Sequence, residues 1–166
     1  MTIKFWGAHN PNGYLSNFYA SDFIIDGLTY PTVEHYFQSK KFEGTEFEAY
    51  IVSLKTPKET AKEGKRRDLP LRKDWEQVKE DIMFTGLVAK FSQNPSLRKS
   101  LLKTGDVELI EASPYDYYWG VGKNGSGENR LGILLMILRD ELAKPFPEIS
   151  LTEIKKREEW RILNEI

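Results

Sequence analysis

At 166 residues, 40% hydrophobic and 13% aromatic, the chain is sized for one domain with a single sizeable core. Its 24 Lys+Arg against 25 Asp+Glu give a net charge of −1, which excludes a whole-molecule field toward nucleic acid or acidic lipid and makes any anion site local. With no cysteine and 2 histidines, disulfides, thiolate nucleophiles and Cys-based zinc or iron–sulfur sites are excluded, and neither a metal nor another cofactor is expected.

The opening MTIKFWGAHNP lacks the apolar stretch of a signal peptide, and no uncharged apolar run is long enough to span a bilayer, so a cytoplasmic protein with no membrane partner is expected. Asp26-Gly27 lies between two short β-favouring runs, the signal for a type I′ hairpin, and a small antiparallel unit is predicted to open the domain. From Thr32 the pattern turns helical, with Val33, Tyr36 and Phe37 as the apolar stripe, until Gly44 stops it. Thr56 with Pro57 and Glu59 predicts a capping box, and Asp74 with Gln77 predicts another. The helix after Asp74 is the strongest in the chain, with Trp75, Val78, Ile82, Leu87, Val88 and Phe91 at helical spacing. Asn94-Pro95 ends it and starts a short successor through Leu102.

Thr104-Gly105 closes that helix, and Val107 to Ala112 alternates as a strand does. Ser113 to Asn129 is a long loop whose Tyr115, Tyr117, Tyr118 and Trp119 predict rings that are buried or hold a ligand. A last core helix runs from about Asn129 to Leu142 on Leu131, Leu134, Leu135 and Leu138, and Lys144-Pro145-Phe146-Pro147 breaks it. Ser150 to Ile166 reads as a charged helix with a capping box Ser150…Glu153, packed on the domain edge or used for self-association.

Glu34, Gln38 and Lys41 are spaced i, i+4 and i+7, which on a helix puts Gln38 and Lys41 within roughly 40° of Glu34. A carboxyl and an amine on one face can break a C–N glycosidic bond: the acid serves the leaving amine and water, and the amine attacks the anomeric carbon. The same spacing also suits a solvated charge ladder. His35 faces elsewhere and reads as a core or cap histidine. Gly120 to Gly125 has neither P-loop nor dinucleotide-binding spacing and reads as a turn-rich loop. Gly64 to Asp68 with Arg72-Lys73 is the one local basic cluster, either a solvated face or a phosphate clamp. Trp75 and Trp119 are core residues or flat walls for a base, and Asp116 caps its loop or reaches a site.

Five segments, in one order across residues 3–142, together resemble the YbiA/NADAR family. They are Phe5-Trp6 with Gly13 to Phe18; Tyr30 to Phe42; Arg72 to Trp75; Ser113 to Gly120; and Asn129 to Met136. The resemblance implies an α+β fold, a helix-rich single domain with a small antiparallel β unit, over residues 1–144, with residues 145–166 as a C-terminal helical extension. It carries the family's acid/base glutamate onto Glu34, its helix lysine onto Lys41, its loop acid onto Asp116 and its paired tryptophans onto Trp75 and Trp119. Ser16-Asn17-Phe18 matches the segment at the ribose and phosphate, Gln38 shares the Glu34 face, and Arg72 is expected to meet phosphate.

The implied function is N-glycosidase hydrolysis of phosphoribosylamino-pyrimidine intermediates of riboflavin biosynthesis, releasing ribose 5-phosphate, with a small ribosylated nucleotide as partner. Three rivals stay open: an ADP-ribosyl-guanine glycohydrolase, the one that brings in nucleic acid; a silent nucleotide-binding module; and an interaction protein using the C-terminal helix.

Overall fold

The computed structural model describes residues 1–164. Strand β1 (Thr2–Phe5) pairs in parallel with strand β4 (Glu108–Glu111), from Thr2↔Glu108 to Phe5↔Glu111. Strands β2 (Phe23–Ile25) and β3 (Leu28–Tyr30) form the expected antiparallel hairpin. Asp26 at φ 50° and Gly27 at φ 79° supply the two positive φ angles of a type I′ turn. The strand β1 has no counterpart in the sequence expectations, because its partner lies five helices away along the chain and no local turn announces a parallel pairing.

Helices α1 (Val33–Lys40), α3 (Pro57–Gly64), α4 (Trp75–Gln93), α5 (Pro95–Lys103) and α6 (Arg130–Leu142) occupy the expected segments. Thr32 caps α1 by accepting from His35 N, and Thr56 with Glu59 forms the full capping box of α3. Helix α2 (Glu46–Ser53) was not anticipated. Its signals are present: Thr45 accepts from Phe47 N, and Glu46 and Glu48 stand in the first turn, where they complement the helix dipole. The capping box expected at Asp74 does not form, because the Asp74 carboxylate accepts from Arg72 Nε (2.6 Å) and Nη2 (3.0 Å) instead.

The core is built where α1 meets α2, α3 and α4 and where α6 lies on β4. Gly86 lets α4 approach α1, since a Cβ there would lie 2.9 Å from Tyr36 Cδ1. Leu131, Leu134, Leu135 and Leu138 of α6 are buried as expected. Helix α7 (Leu151–Asn164) packs Leu151 and Ile154 into the same core, and its Arg157 pairs with buried Glu141. Half of its expected capping box forms: Glu153 N donates to Ser150 Oγ, while Ser150 N donates to Glu148 rather than Glu153. In the long loop, Tyr115 is 83% exposed and Tyr117 is exposed as well, so neither ring is buried, and of the two only Tyr115 lies on the wall of the cavity described below. Among the described residues no helix is long and apolar enough to cross a membrane.

One residue fastens the sheet to the last core helix. Asn129 sits in the left-handed region at φ 51°, with Nδ2 donating to Leu109 O (2.9 Å) and Oδ1 accepting from Glu111 N (2.9 Å). Its side chain thus satisfies two strand groups that face α6. Asn129→Ala is expected to leave both buried groups unpaired at a cost of about 1–3 kcal/mol each. Asn129→Gly should recover only the backbone part, about 1–2 kcal/mol. Urea melts of the two variants measure both quantities.

Candidate active site

A cavity of about 610 Å³ opens between the N-terminal loop, α1, the end of α3, the first turns of α4, the end of β4 and the long loop. Its wall contains Ser16, Asn17, Phe18, Glu34, Gln38, Lys41, Trp75, Asp116 and Trp119. Nine of the ten residues singled out in the sequence therefore converge on one space.

Glu34 stands in the first turn of α1 and is 7% exposed. Its backbone N–H donates to Asn17 O (3.1 Å) and its Oε1 accepts from Gln38 Nε2 (2.8 Å). Burial pushes its pKa up, against the opposing pull of the Gln38 hydrogen bond, Lys41 and Lys65. Lys41 is the C-cap of α1, where Nζ donates to Gly64 O (3.1 Å) and lies 5.6 Å from the centre of the Trp75 ring. Burial pushes its pKa down; Glu34 opposes that and Lys65 adds to it. Desolvation thus moves the acid toward its protonated form and the amine toward its neutral form, the states in which one donates a proton and the other attacks carbon.

Supporting groups hold these two in place. A Cβ on Gly64 would fall 2.0 Å from Gln38 Oε1, so only glycine lets the end of α3 lie against the Gln38 side chain. Gln38 Oε1 and Asn17 Oδ1 are buried without a hydrogen-bond partner, although both residues line the cavity. Asp116 serves both expected roles: Oδ1 accepts from Tyr118 N (2.9 Å) and Trp119 N (2.7 Å) while the residue lines the cavity. Trp75 and Trp119 also combine both readings. Each packs against Phe37, at 5.0 and 5.4 Å between ring centres, and each faces the cavity. His35 is a satisfied core histidine, with Thr32 Oγ1 at 2.8 Å and Leu54 O at 2.8 Å.

Arg72 is the exception. It does not line the cavity, and its guanidinium is engaged by Asp74 and by Glu43 (2.8 Å) while its N–H donates to Lys41 O. The carboxylates Glu43 and Asp74 thus occupy the guanidinium that was expected to meet phosphate. The cavity's further cations are Lys65 and Lys79. Lys79 stands 3.9 Å over the Tyr118 ring.

Sequence reasoning missed Glu111 and Lys90. Glu111 lies on the cavity wall at the end of β4, and alternation carried the signal: it shares a face with fully buried Leu109. Lys90 is fully buried; its Nζ donates to Ser16 O (2.9 Å), pinning the Ser16–Phe18 segment, and burial pushes its pKa down to about 7.

The profile described as the NADAR domain matches residues 4–143. The chain belongs to the NADAR family. It is 46% identical over 141 residues to a protein of Shigella flexneri serotype 5b named N-glycosidase YbiA, covering 85% of this chain and 88% of that one. It is 39% identical over 160 residues to a Zea mays protein named riboflavin biosynthesis protein PYRR, chloroplastic, covering 87% of this chain and 26% of that one. The solved NMR structure of the E. coli protein YbiA superposes with a TM-score of 0.80 at 45% identity, over 86% of this chain and 84% of that one. The helix-rich α+β fold is therefore that of a NADAR domain.

In this NADAR chain the adjacent lysines of α1 have opposite surroundings. Lys40 Nζ pairs with Glu43 and Glu48, both at 3.1 Å, and these bonds push its pKa up against its burial. Amine acylation at mildly alkaline pH is expected to modify Lys41 faster than Lys40, as read by peptide mass spectrometry. Because the Glu34 charge raises the Lys41 pKa, Glu34→Gln should shift the onset of Lys41 modification to lower pH. Equal modification of the two lysines would show that Lys41 is not depressed.

Proposed function

We propose that this chain is an N-glycosidase that hydrolyses the bond between ribose and the exocyclic amine of phosphoribosylamino-pyrimidine intermediates of riboflavin biosynthesis, releasing ribose 5-phosphate. The observation that carries the reading is the meeting of Glu34 and Lys41 in one cavity, an acid with raised pKa beside an amine with lowered pKa. The names of the similar proteins, N-glycosidase and riboflavin biosynthesis protein, support both the reaction and the substrate class. A cavity of about 610 Å³ suits a small molecule, as such sites span roughly 300–1,000 Å³.

Protonated Glu34 gives its proton to the leaving amine as the C1′–N bond breaks, and positive charge develops at C1′. Lys41 as a neutral amine then adds to C1′, the C1′–O4′ bond breaks as an Nζ proton passes to O4′, and a protonated imine forms between C1′ and Nζ. Glu34, now a carboxylate, takes a proton from water, which attacks C1′ and returns the amine to Lys41 while the sugar leaves as ribose 5-phosphate. On the alternative path Lys41 stays a positioning charge, and Glu34 directs water onto the C1′ cation directly. Trp75 and Trp119 flank the pyrimidine, Asp116 orients the ribose, Ser16 and Phe18 with Asn17 and Gln38 form the sugar wall, and Lys65 and Lys79 meet the phosphate.

Incubation with 5-amino-6-(5-phosphoribosylamino)uracil and, separately, with oligonucleotides bearing ADP-ribosylated guanine tests the substrate class, with release of sugar expected from the first. Release from the second alone would replace the substrate. Glu34→Gln is expected to lower kcat about 10²–10⁴-fold while substrate still binds; near-normal kcat would remove Glu34 from the mechanism. Borohydride reduction during turnover should trap the sugar phosphate on Lys41 and not on Lys40, and an active enzyme that yields no adduct selects the direct water path.

The phosphate assignment separates from the sequence expectation in one comparison. Lys65→Ala is expected to raise KM about tenfold, the scale of a lost charge-assisted hydrogen bond, whereas Arg72→Ala should change KM far less. The opposite order would restore Arg72 as the phosphate ligand.

A further inference from the structure

Glu111 is a third carboxyl on the cavity wall, and the mechanism above does not use it. Its backbone is fixed on both sides, N–H to Asn129 Oδ1 (2.9 Å) and C=O from Val121 N (3.0 Å). Gly120 packs so closely that a Cβ there would lie 3.1 Å from Glu111 Cγ. The stem of the side chain is therefore held, and the residue is 9% exposed. Yet among the described residues the carboxyl has no hydrogen bond from a protein donor and no ion pair, and its oxygens are not sealed off without a partner as those of Asn17 and Gln38 are. They face the cavity instead.

The charges around it do not compensate it. The groups acting on it, Asp116 on the loop and Glu34 on α1, are both acids. Lys41, Lys65 and Lys79 line the same space, but none of them offsets its charge. Arg130, which follows Asn129, is held by Glu80. No group of three or more His, Cys, Asp or Glu among the described residues is arranged to hold a metal ion. A desolvated carboxyl between two others, with no cation beside it, takes up a proton.

We propose that Glu111 is a substrate-binding group, presenting a neutral carboxyl whose O–H donates a hydrogen bond to an acceptor oxygen or nitrogen of the ribosylated substrate. A neutral acid donates here without adding negative charge to a cavity that already holds Glu34 and Asp116. Burial and the two neighbouring acids raise its pKa to about 8, so the donor is present at neutral pH and lost above it. The kinetic arm of the test rests on the N-glycosidase reading, and the stability arm does not.

The stability arm compares thermal melts of the wild type and Glu111→Gln across pH. A carboxyl whose pKa is raised from 4.5 to about 8 on folding contributes stability that is full below the lower value and is lost as pH rises through the upper one. The wild-type melting temperature should therefore fall relative to Glu111→Gln between about pH 4.5 and 8, and parallel curves would overturn the neutral carboxyl. In the kinetic arm Glu111→Ala should raise KM for 5-amino-6-(5-phosphoribosylamino)uracil about tenfold with kcat changed less, and Glu111→Gln, which keeps an N–H donor, should restore KM to within about threefold. Unchanged KM in Glu111→Ala, or loss of kcat at normal KM in Glu111→Gln, would overturn the donor role. Failure of the wild type to turn over the substrate would refute the proposed function alone and leave the melting curves to decide Glu111.

Discussion

The constraint on which the rest depends is the near-complete burial of α1. Every residue from Val33 to Ser39 is buried, although four of them, Glu34, His35, Gln38 and Ser39, are polar. A buried polar group needs a partner, and the fold supplies one at each position. His35 is held by Thr32 and Leu54, Ser39 Oγ donates to Tyr36 O, and Gln38 donates to Glu34. Glu34, Gln38 and, at the C-cap, Lys41 all line the cavity, so two of the buried polar side chains of α1, with its capping lysine, border the space open to a ligand.

The electrostatic pattern follows from the same burial. Glu34 and Glu111 are pushed up, Lys41 and Lys90 are pushed down, and in each case desolvation is the largest cause. No special arrangement of opposite charges is needed to move the Glu34 pKa up and the Lys41 pKa down. Opposite charges act against it, since Lys41 lowers the Glu34 pKa and Glu34 raises that of Lys41. Lys40 illustrates the contrast: one position along the helix it meets two carboxylates at the surface and is held charged. The opposite pKa shifts of Lys40 and Lys41 thus follow from the direction of one side chain on a helix.

Much of the fold and most of the site were legible before any coordinates. Six helices carried caps or periodicity, the hairpin carried Asp-Gly, and the i, i+4, i+7 spacing put Glu34, Gln38 and Lys41 on one face. The parallel β1–β4 pairing depends on contacts remote in sequence, which local pattern does not encode. Competition among charges also escaped: Arg72 and Asp74 each had a predicted role, and they bind each other instead. Glu111 was visible in principle, as an acid on the buried face of an alternating strand, but period two alone does not distinguish the inward face until Leu109 is known to be buried.

These unpaired and desolvated groups lower the stability of the folded chain, so the scaffold around them has to be firm. Asn129 shows how that firmness reaches the site. Its left-handed backbone begins α6, its side chain closes the edge of β4, and one of those bonds fixes the residue whose carboxyl enters the cavity. On the opposite wall Lys90 does the equivalent for the Ser16–Phe18 segment, through a single bond to Ser16 O. Both anchors lie on secondary elements of the main core, α6 and α4, and both reach outward to irregular or terminal segments that touch the ligand space. The positions of Glu111 and of the N-terminal loop are thereby tied to two helices of the main core, although loops and element ends form much of the cavity wall.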